Sequence, residues 1–323
     1  MASKRSQEAI RALVEQLGDP SRSSQALLRL LVKGEEGVRA LAEFLRSSKP
    51  SSVPEARLLA VEGLSILKGP EGLSALIRVA SERRDDIPDP VVRLAEETVA
   101  SRAALALADF SKPRAREALL KLLEGRPLIG VAEAFEKSKD LRAIPNLVAW
   151  LEDDFVAELV SRAIRACGRW AFSALLESLG QKHIQHGRET GMSQRRRARI
   201  LEILADVIRE GEVDLIQDLL DDPVESVRLN AARAVLARGN HAQQERAFEV
   251  GLQLLDSSDR GNRASSEEIL LEHFDVGCHL VEQEIQRREA AGESEQQCFP
   301  RESTLVVLLR IRKKGRQLME AQQ

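Results

Sequence analysis

The sequence predicts an all-α fold, and three observations support this prediction. Apolar residues recur at spacings of three and four along the whole 323-residue chain, which is the periodicity of amphipathic helices. Leu, Ala, Arg and Glu dominate, and all of them favour helices. Residues that favour strands are scarce, since aromatic residues make up 3% of the chain and tyrosine is absent. No stretch of strand length alternates apolar and polar residues.

Composition and charge exclude several classes of protein. The chain is 43% apolar and carries 48 basic against 51 acidic side chains, a balance that is atypical of intrinsic disorder. Its longest apolar run, residues 103–108, is far shorter than the ~20 residues of a membrane helix. Three scattered cysteines, Cys167, Cys278 and Cys298, indicate neither a disulfide framework nor a cysteine-paired metal site. We therefore expect a soluble cytoplasmic protein with no cofactor, no metal and no membrane partner.

Two segments share a pattern that is typical of the second helix in a repeated helix pair. Residues 222–235 begin with Asp-Pro and place small residues three and six positions after Arg228. Residues 56–64 repeat this spacing after Arg57. Residues 101–107 and 161–168 are looser copies. An amphipathic helix precedes the segments that begin at residues 56, 161 and 222. The chain is therefore predicted to repeat a helix pair.

Breaker residues divide the chain into roughly nine such pairs, at the ~30–47-residue period of helical repeats. The breaks lie, in chain order, at residues 18–20, 34, 49–50, 69–70, 109–113, 211 and 239–240. The predicted pairs span residues 6–33, 35–68, 70–109, 112–138, 140–169, 171–210, 211–239, 241–274 and 275–320. One pair cannot bury its own apolar stripe, so we expect the pairs to stack into a single domain. That domain covers residues 1–323, with capping pairs at 1–34 and 275–323.

These features resemble the HEAT-repeat family in its bacterial form, an armadillo-type α-solenoid family. The resemblance rests on the helix opener at residues 140–145, Asp-Leu-Arg-Ala-Ile-Pro, and on residues 222–228, Asp-Pro through Val-Arg. It implies a right-handed α-α superhelix in which first helices lie on the convex side and second helices line the concave side. It also implies that the concave side binds other macromolecules.

Three insertions depart from the repeat pattern. Residues 81–90 lengthen the turn of the third pair, residues 181–193 lengthen that of the sixth, and residues 290–303 form a polar linker before the last helix. Insertions in repeat arrays often make contacts, and they are also places where arrays tolerate change.

Candidate metal ligands are few. His183 and His186 lie near Glu189 in the second insertion. No further ligand stands at a spacing typical of zinc sites, so we predict that these are solvated loop residues. His273 and Cys278 are predicted to be packing residues. Deoxyhypusine hydroxylases, which are HEAT-like, hold iron through His-Glu dipeptides, and none of the five histidines here is followed by Glu. We therefore predict that the chain is not an enzyme.

Two other classes of HEAT-like protein are alternatives for this chain. Alkylpurine DNA glycosylases use an Asp beside Trp residues, which Trp150, Asp154 and Trp170 superficially match. Such an enzyme needs a basic surface, whereas this chain has a net charge of −3. Residues 153–154 are better explained as a turn and helix cap. A phycobilin lyase stays open on fold alone, with no supporting residue.

Charge placement suggests a binding surface. Arginines recur on three successive second helices, opposite the apolar face, and could form a stripe that binds carboxylates. The predicted partner-binding residues are Arg162, Arg165, Arg169, Arg195, Arg196, Arg199 and Arg233. The competing interpretation is internal pairing, for example of Arg228 with Asp222, or neutralisation by neighbouring acids. We predict a non-catalytic scaffold that binds an acidic partner protein through this stripe, with nucleic-acid binding as the alternative.

Overall fold

A computed structural model describes residues 2–82, 84–293 and 302–322 and confirms the all-α fold class. Cys298 and most of the predicted 290–303 linker lie outside these residues. The α-helices of the described residues are α1 (Ala2–Glu15), α2 (Ser23–Val32), α3 (Glu35–Ser47), α4 (Glu55–Leu67), α5 (Pro70–Ser81), α6 (Pro90–Leu107), α7 (Pro113–Leu122), α8 (Ile129–Ser138), α9 (Ile144–Trp150), α10 (Ala157–Cys167), α11 (Phe172–Gly180), α12 (Gly191–Val207), α13 (Glu225–Arg238), α14 (His241–Leu254), α15 (Arg260–Glu272), α16 (Phe274–Ala290) and α17 (Thr304–Gln322).

The chain divides into two compact units, Met1–Cys167 and Gly168–Gln323. In the first unit, α3 packs against both α4 and α5, and the first helices α1, α3, α5 and α7 are neighbours in series. The second helices α2, α4, α6, α8 and α10 form the adjoining layer in the same order. Stacked helix pairs therefore build this unit, as the apolar periodicity predicts. The single continuous domain over residues 1–323 stays a prediction.

Helix starts and stops in the first unit follow from local chemistry. The Asp89 carboxylate accepts hydrogen bonds from the N–H groups of Val91 and Val92, and Pro90 follows at the first helical position of α6. Lys68 and Lys139 end α4 and α8 in the left-handed conformation, with φ of 51° and 50°. Glycine usually occupies such positions, so the sequence pattern does not mark these two helix ends.

Glycine permits a very close helix crossing between α6 and α8. A β-carbon added to Gly130 would lie 1.7 Å from the carbonyl oxygen of Ser101. The two backbones therefore touch at this point, which only glycine allows. The crossing fixes the relative position of two neighbouring second helices.

In the second unit, α13 packs against α12, α14 and α15, and α15 and α16 each pack against α17. One predicted helix differs from the structure. Residues 210–221 form two short 3₁₀ helices, Glu210–Leu215 and Gln217–Asp221, rather than an α-helix. Only fourteen residues, 208–221, separate α12 from the turn before α13, and Gly211 lies among several acids, so a tighter winding is favoured over a regular α-helix.

The second insertion contains a small β-hairpin where a longer turn is predicted. Strands β1 (Ile184–Gln185) and β2 (Arg188–Glu189) pair antiparallel, with Ile184 opposite Glu189. His186 and Gly187 form the two-residue turn, and both have positive φ, 51° and 75°. This is the backbone geometry that twisted hairpins prefer.

Among the described residues, no helix combines the length and the apolar character that crossing a membrane requires.

Candidate functional site

A groove with a volume of about 1090 Å³ opens in the first unit. Its lining residues come from the second helices α4, α6 and α8, from the C-terminal ends of α5 and α7, and from the turns that follow them. The turn before α10 also contributes, through Asp153 and Phe155. The groove therefore lies where second helices of successive pairs meet the loops of those pairs.

Apolar side chains in this groove are unusually exposed. Leu94 on α6 is 61% exposed and Phe155 is 76% exposed. Leu58 and Leu59 on α4 and Ile77 on α5 are half-buried beside them. Leu94 lies outside the face of α6 that packs into the core, which contains Ala95, Val99 and Ala103 among others. Clustered apolar exposure of this kind marks interaction sites.

The groove carries excess negative charge. Among the described residues, six carboxylates and four cationic side chains line it, which gives these residues a net formal charge of −2. Glu62, Glu97 and Glu133 lie on α4, α6 and α8 respectively, so each successive second helix contributes one acid. Within residues 2–82, 84–293 and 302–322, none of these three carboxylates has a cationic nitrogen within salt-bridge distance.

Several of the other charged side chains of the groove have internal partners. Arg126 pairs with Asp85 at 2.8 Å. Glu82 pairs with Arg78 at 3.3 Å and lies 3.8 Å from the buried guanidinium of Arg57. Burial lowers the pKa of Arg84, and the nearby carboxylates, Glu97 and Asp85 first among them, oppose this shift. Glu97 therefore already balances part of the Arg84 charge.

The predicted arginine stripe divides between the two units. Arg162 and Arg165 belong to the first unit, on α10. Arg162 donates to Glu136 at 2.7 Å, and this hydrogen bond raises the pKa of Arg162. Arg165 is half-buried. The charge of Arg162 is thus largely balanced within the chain.

The remaining predicted arginines lie in the second unit. Arg169 donates to the carbonyl oxygen of Val207 at 3.0 Å and to the carboxylate of Glu212, and it stacks on the ring of Phe172 at 3.9 Å. The hydrogen bond from Arg169 lowers the pKa of Glu212. Arg233 donates to Glu268 at 3.3 Å. Arg195 is exposed, and Arg199 is half-buried.

The structure buries Arg196, which the predicted stripe places at the surface. Its side chain is 3% exposed and donates to the carbonyl oxygen of Gln181, so it presents no charge at the surface. Ser193, Arg196, Ile200 and Leu204 follow the three-and-four spacing of the buried face of α12. Binding of an acidic partner or of nucleic acid by the other six arginines stays a prediction.

A buried ion cluster in the second unit is a feature that sequence reasoning missed. Arg197 is 0% exposed and donates to Glu189 at 2.9 Å and to the carboxylate of Asp222. Ser193 donates to the same Glu189 carboxylate at 2.7 Å. The available signal was the spacing of Arg197, which lies three and four residues before the apolar residues Ile200 and Leu201 on the buried face of α12.

Arg228 does not pair with the Asp222 carboxylate, as the internal-pairing interpretation suggests. It donates to the backbone carbonyl oxygen of Asp222 at 2.8 Å. The side-chain carboxylate instead accepts from Arg197 and from the N–H of Val224 at 3.0 Å. The ammonium of Lys182 also lies 3.8 Å from this carboxylate.

Other candidate residues are distributed as follows. His183 and His186 are exposed, and the described part of the chain holds no group of three residues suited to bind a metal. Trp150 is buried, and Asp153 accepts from the N–H of Phe155 at 2.9 Å, which agrees with the predicted turn. Burial raises the pKa of the Cys167 thiol.

Comparison with known proteins gives matches only to solved structures. No family model matches the chain, and no curated protein matches it. The complex of CpcE and CpcF of phycocyanin lyase from Nostoc sp. PCC7120 is 19% identical, with a TM-score of 0.35, over 81% of this chain and 93% of that chain. Human deoxyhypusine hydroxylase in complex with glycerol is 17% identical, with a TM-score of 0.32, over 85% and 98% respectively.

These matches correct one prediction. The chain is predicted not to be an enzyme, yet both of these structures are named for enzymes, a lyase and a hydroxylase. The prediction is corrected accordingly, since the absence of a recognisable motif does not exclude catalysis. Likenesses at these identities and TM-scores transfer no activity to this chain. The structure supports the helical-repeat fold. Membership of the HEAT-repeat family stays a prediction.

Proposed function

We propose that this protein binds a segment of a partner protein in the groove of its first unit. The observation that carries the proposal is the exposure of Leu94 and Phe155 inside a groove of about 1090 Å³. Removing such apolar surface from water favours association by roughly 25 cal/mol per Å² before ordering costs. The groove lies on second helices, the layer that the sequence predicts for partner binding.

The size of the groove supports a macromolecular segment rather than a small molecule. Small-molecule sites enclose roughly 300–1000 Å³ and surround most of the ligand. This groove is at the upper limit of that range, and Phe155 and Leu94 both remain open to solvent. A side of a partner helix or loop can cover both side chains at once.

The proposal is tested by removing the exposed apolar groups. The variant Leu94→Ser/Phe155→Ser changes only side chains that are already exposed, so its melting temperature should match that of the wild type. The control Leu28→Ser/Val32→Ser changes two exposed apolar residues of α2, outside the groove. Proteins that bind to immobilised wild type and control, but not to the groove variant, are quantified by mass spectrometry. Equal recovery of every protein by all three chains would refute the proposal.

A further inference from the structure

We infer that the segment bound in this groove is a basic amphipathic α-helix, a conclusion that rests on the proposed function. The helix would place apolar side chains on Leu94 and Phe155 and Lys or Arg side chains opposite the three groove acids. This partner chemistry is the opposite of the acidic partner that the arginine stripe predicts.

The first argument is that three groove carboxylates form no salt bridge among the described residues. Glu62 is exposed, and Glu97 and Glu133 are half-buried. Each lies on a different second helix, and all three line the same groove as Leu94. Arg84 faces Glu97, and Arg162 interacts with Glu133 over a longer distance, but neither forms a salt bridge with it in the described residues. Three acids at the edge of an apolar groove attract cations and repel carboxylates.

The second argument is that the cations of the groove do not offset these acids. Arg126 is held by Asp85 at 2.8 Å. Arg84 is half-buried and surrounded by four carboxylates, of which Glu97 contributes most. Arg102 and Lys121 are exposed and remain. The net charge of −2 along the lining therefore favours a cationic occupant.

The third argument concerns the backbone of the occupant. The groove is lined by helices and the turns between them, and the strand pair at residues 184–189 belongs to the other unit. No strand edge in the described lining can pair with an extended peptide. An extended segment would leave its backbone N–H and C=O groups unpaired against apolar walls, whereas a helix satisfies its own. The groove therefore favours a helix over an extended chain.

The experiment uses three synthetic peptides and fluorescence anisotropy with the full-length chain. The first peptide is a helix of 16 residues with Leu at a repeating spacing of three and four residues, which places Leu along one face, and with Lys at all other positions. The second has Glu in place of every Lys, and the third has the composition of the first in scrambled order. We expect the first peptide to bind at least about tenfold more tightly than either of the others. Its affinity should fall as salt rises.

Two charge variants locate the binding site. Glu62→Gln/Glu97→Gln/Glu133→Gln neutralises the groove acids and should weaken the Lys peptide about tenfold. The matched control Glu8→Gln/Glu71→Gln/Glu124→Gln removes the same charge from exposed positions of the same unit outside the groove. The control should bind the Lys peptide as the wild type does. Equal weakening in both variants would instead show that the peptide responds only to the total charge of the chain.

The outcomes separate this inference from the proposed function. No binding of the Lys peptide, equal binding of the Glu peptide, or equal loss in the two charge variants overturns the basic helix. If the Leu94→Ser/Phe155→Ser variant still loses its natural partners in that case, the groove binds protein of another chemistry and the proposed function survives. If that variant retains all partners while the Lys peptide binds the groove, the proposed function fails and only the affinity for basic helices remains.

Discussion

Arg57 and Glu96 form a buried ion pair in the first unit, with 3.1 Å between Nη2 and Oε2. Arg57 lies on α4 and Glu96 on α6, so the pair joins two successive second helices. Arg57 also donates to the carbonyl oxygen and the hydroxyl of Ser48, at 3.1 and 2.8 Å. The loop between α3 and α4 is thereby attached to the next helix pair.

Removing one partner of this pair should destabilise the first unit. Glu96→Ala leaves the buried guanidinium of Arg57 with only the partly exposed Glu82, 3.8 Å away, as a counter-charge, and we expect a loss of about 3–5 kcal/mol in the free energy of unfolding. The double variant Arg57→Met/Glu96→Leu should lose less than Glu96→Ala, because no charge stays buried. Urea denaturation of the three chains measures both values, with exposed Glu71→Ala as the control. A double variant that is less stable than the single one would contradict this account.

The close crossing of α6 and α8 predicts an unusually sensitive glycine. Gly130→Ala should lower the free energy of unfolding by about 1–3 kcal/mol or more, because the added methyl group meets the backbone of Ser101. Gly18→Ala is the control, since its added β-carbon meets no atom within 4 Å. Thermal unfolding followed by circular dichroism distinguishes the two. If Gly130→Ala melts with the wild type, the crossing is not as tight as described.

Arg197 should hold the hairpin of the second unit in place. Arg197→Met removes the buried guanidinium from Glu189 and Asp222 and leaves Asp222 with only Lys182, 3.8 Å away, at an expected cost of about 3–5 kcal/mol. Hydrogen exchange of residues 184–189 should accelerate more than that of α13, because Glu189 loses its anchor. The control is Arg188→Ala, which removes an exposed cation from the same hairpin. Unchanged exchange in Arg197→Met would show that the hairpin is held by other contacts.

His273 should make the second unit sensitive to mild acid. Burial lowers the pKa of His273 below its ordinary value of 6.5, against the opposing charges of Glu272 and Asp275. Below pH 6.5 the unfolded chain therefore binds more protons than the folded chain, so the free energy of unfolding falls as the pH falls. The urea midpoint should drop between pH 7.5 and pH 5.5, by less in His273→Asn than in the wild type. An equal drop in both chains assigns the dependence to carboxylates instead.

The helix pairs could be predicted from the sequence because their boundaries depend on local chemistry. Pro70 and Pro90 supply the backbone geometry of a first helical residue, and the Asp89 carboxylate caps α6, so both helices begin where these residues lie. The hairpin at residues 184–189 escaped prediction because two-residue strands carry no periodic signal. Its turn, His186-Gly187, is not among the residue pairs most typical of such turns.

The candidate site was predicted only in its location on second helices. Charged residues are read from sequence as exposed, so Arg196 was placed on the surface and the role of Arg197 went unnoticed. Arg197 is buried because it binds Asp222, which lies 25 residues further along the chain, and Glu189, which belongs to the second insertion. The groove was missed because Leu94 and Phe155 are ordinary core residue types whose exposure is decided by packing.

The position of Glu189 bears on how this chain can vary among its relatives. Loops inserted into repeat arrays are usually dispensable, yet this one supplies the carboxylate that meets a fully enclosed guanidinium. Inheritance of the two features should therefore be coupled. Relatives with a shorter insertion are expected to have an apolar residue in place of Arg197. The exposed residues Ile184 and Arg188 are expected to vary independently.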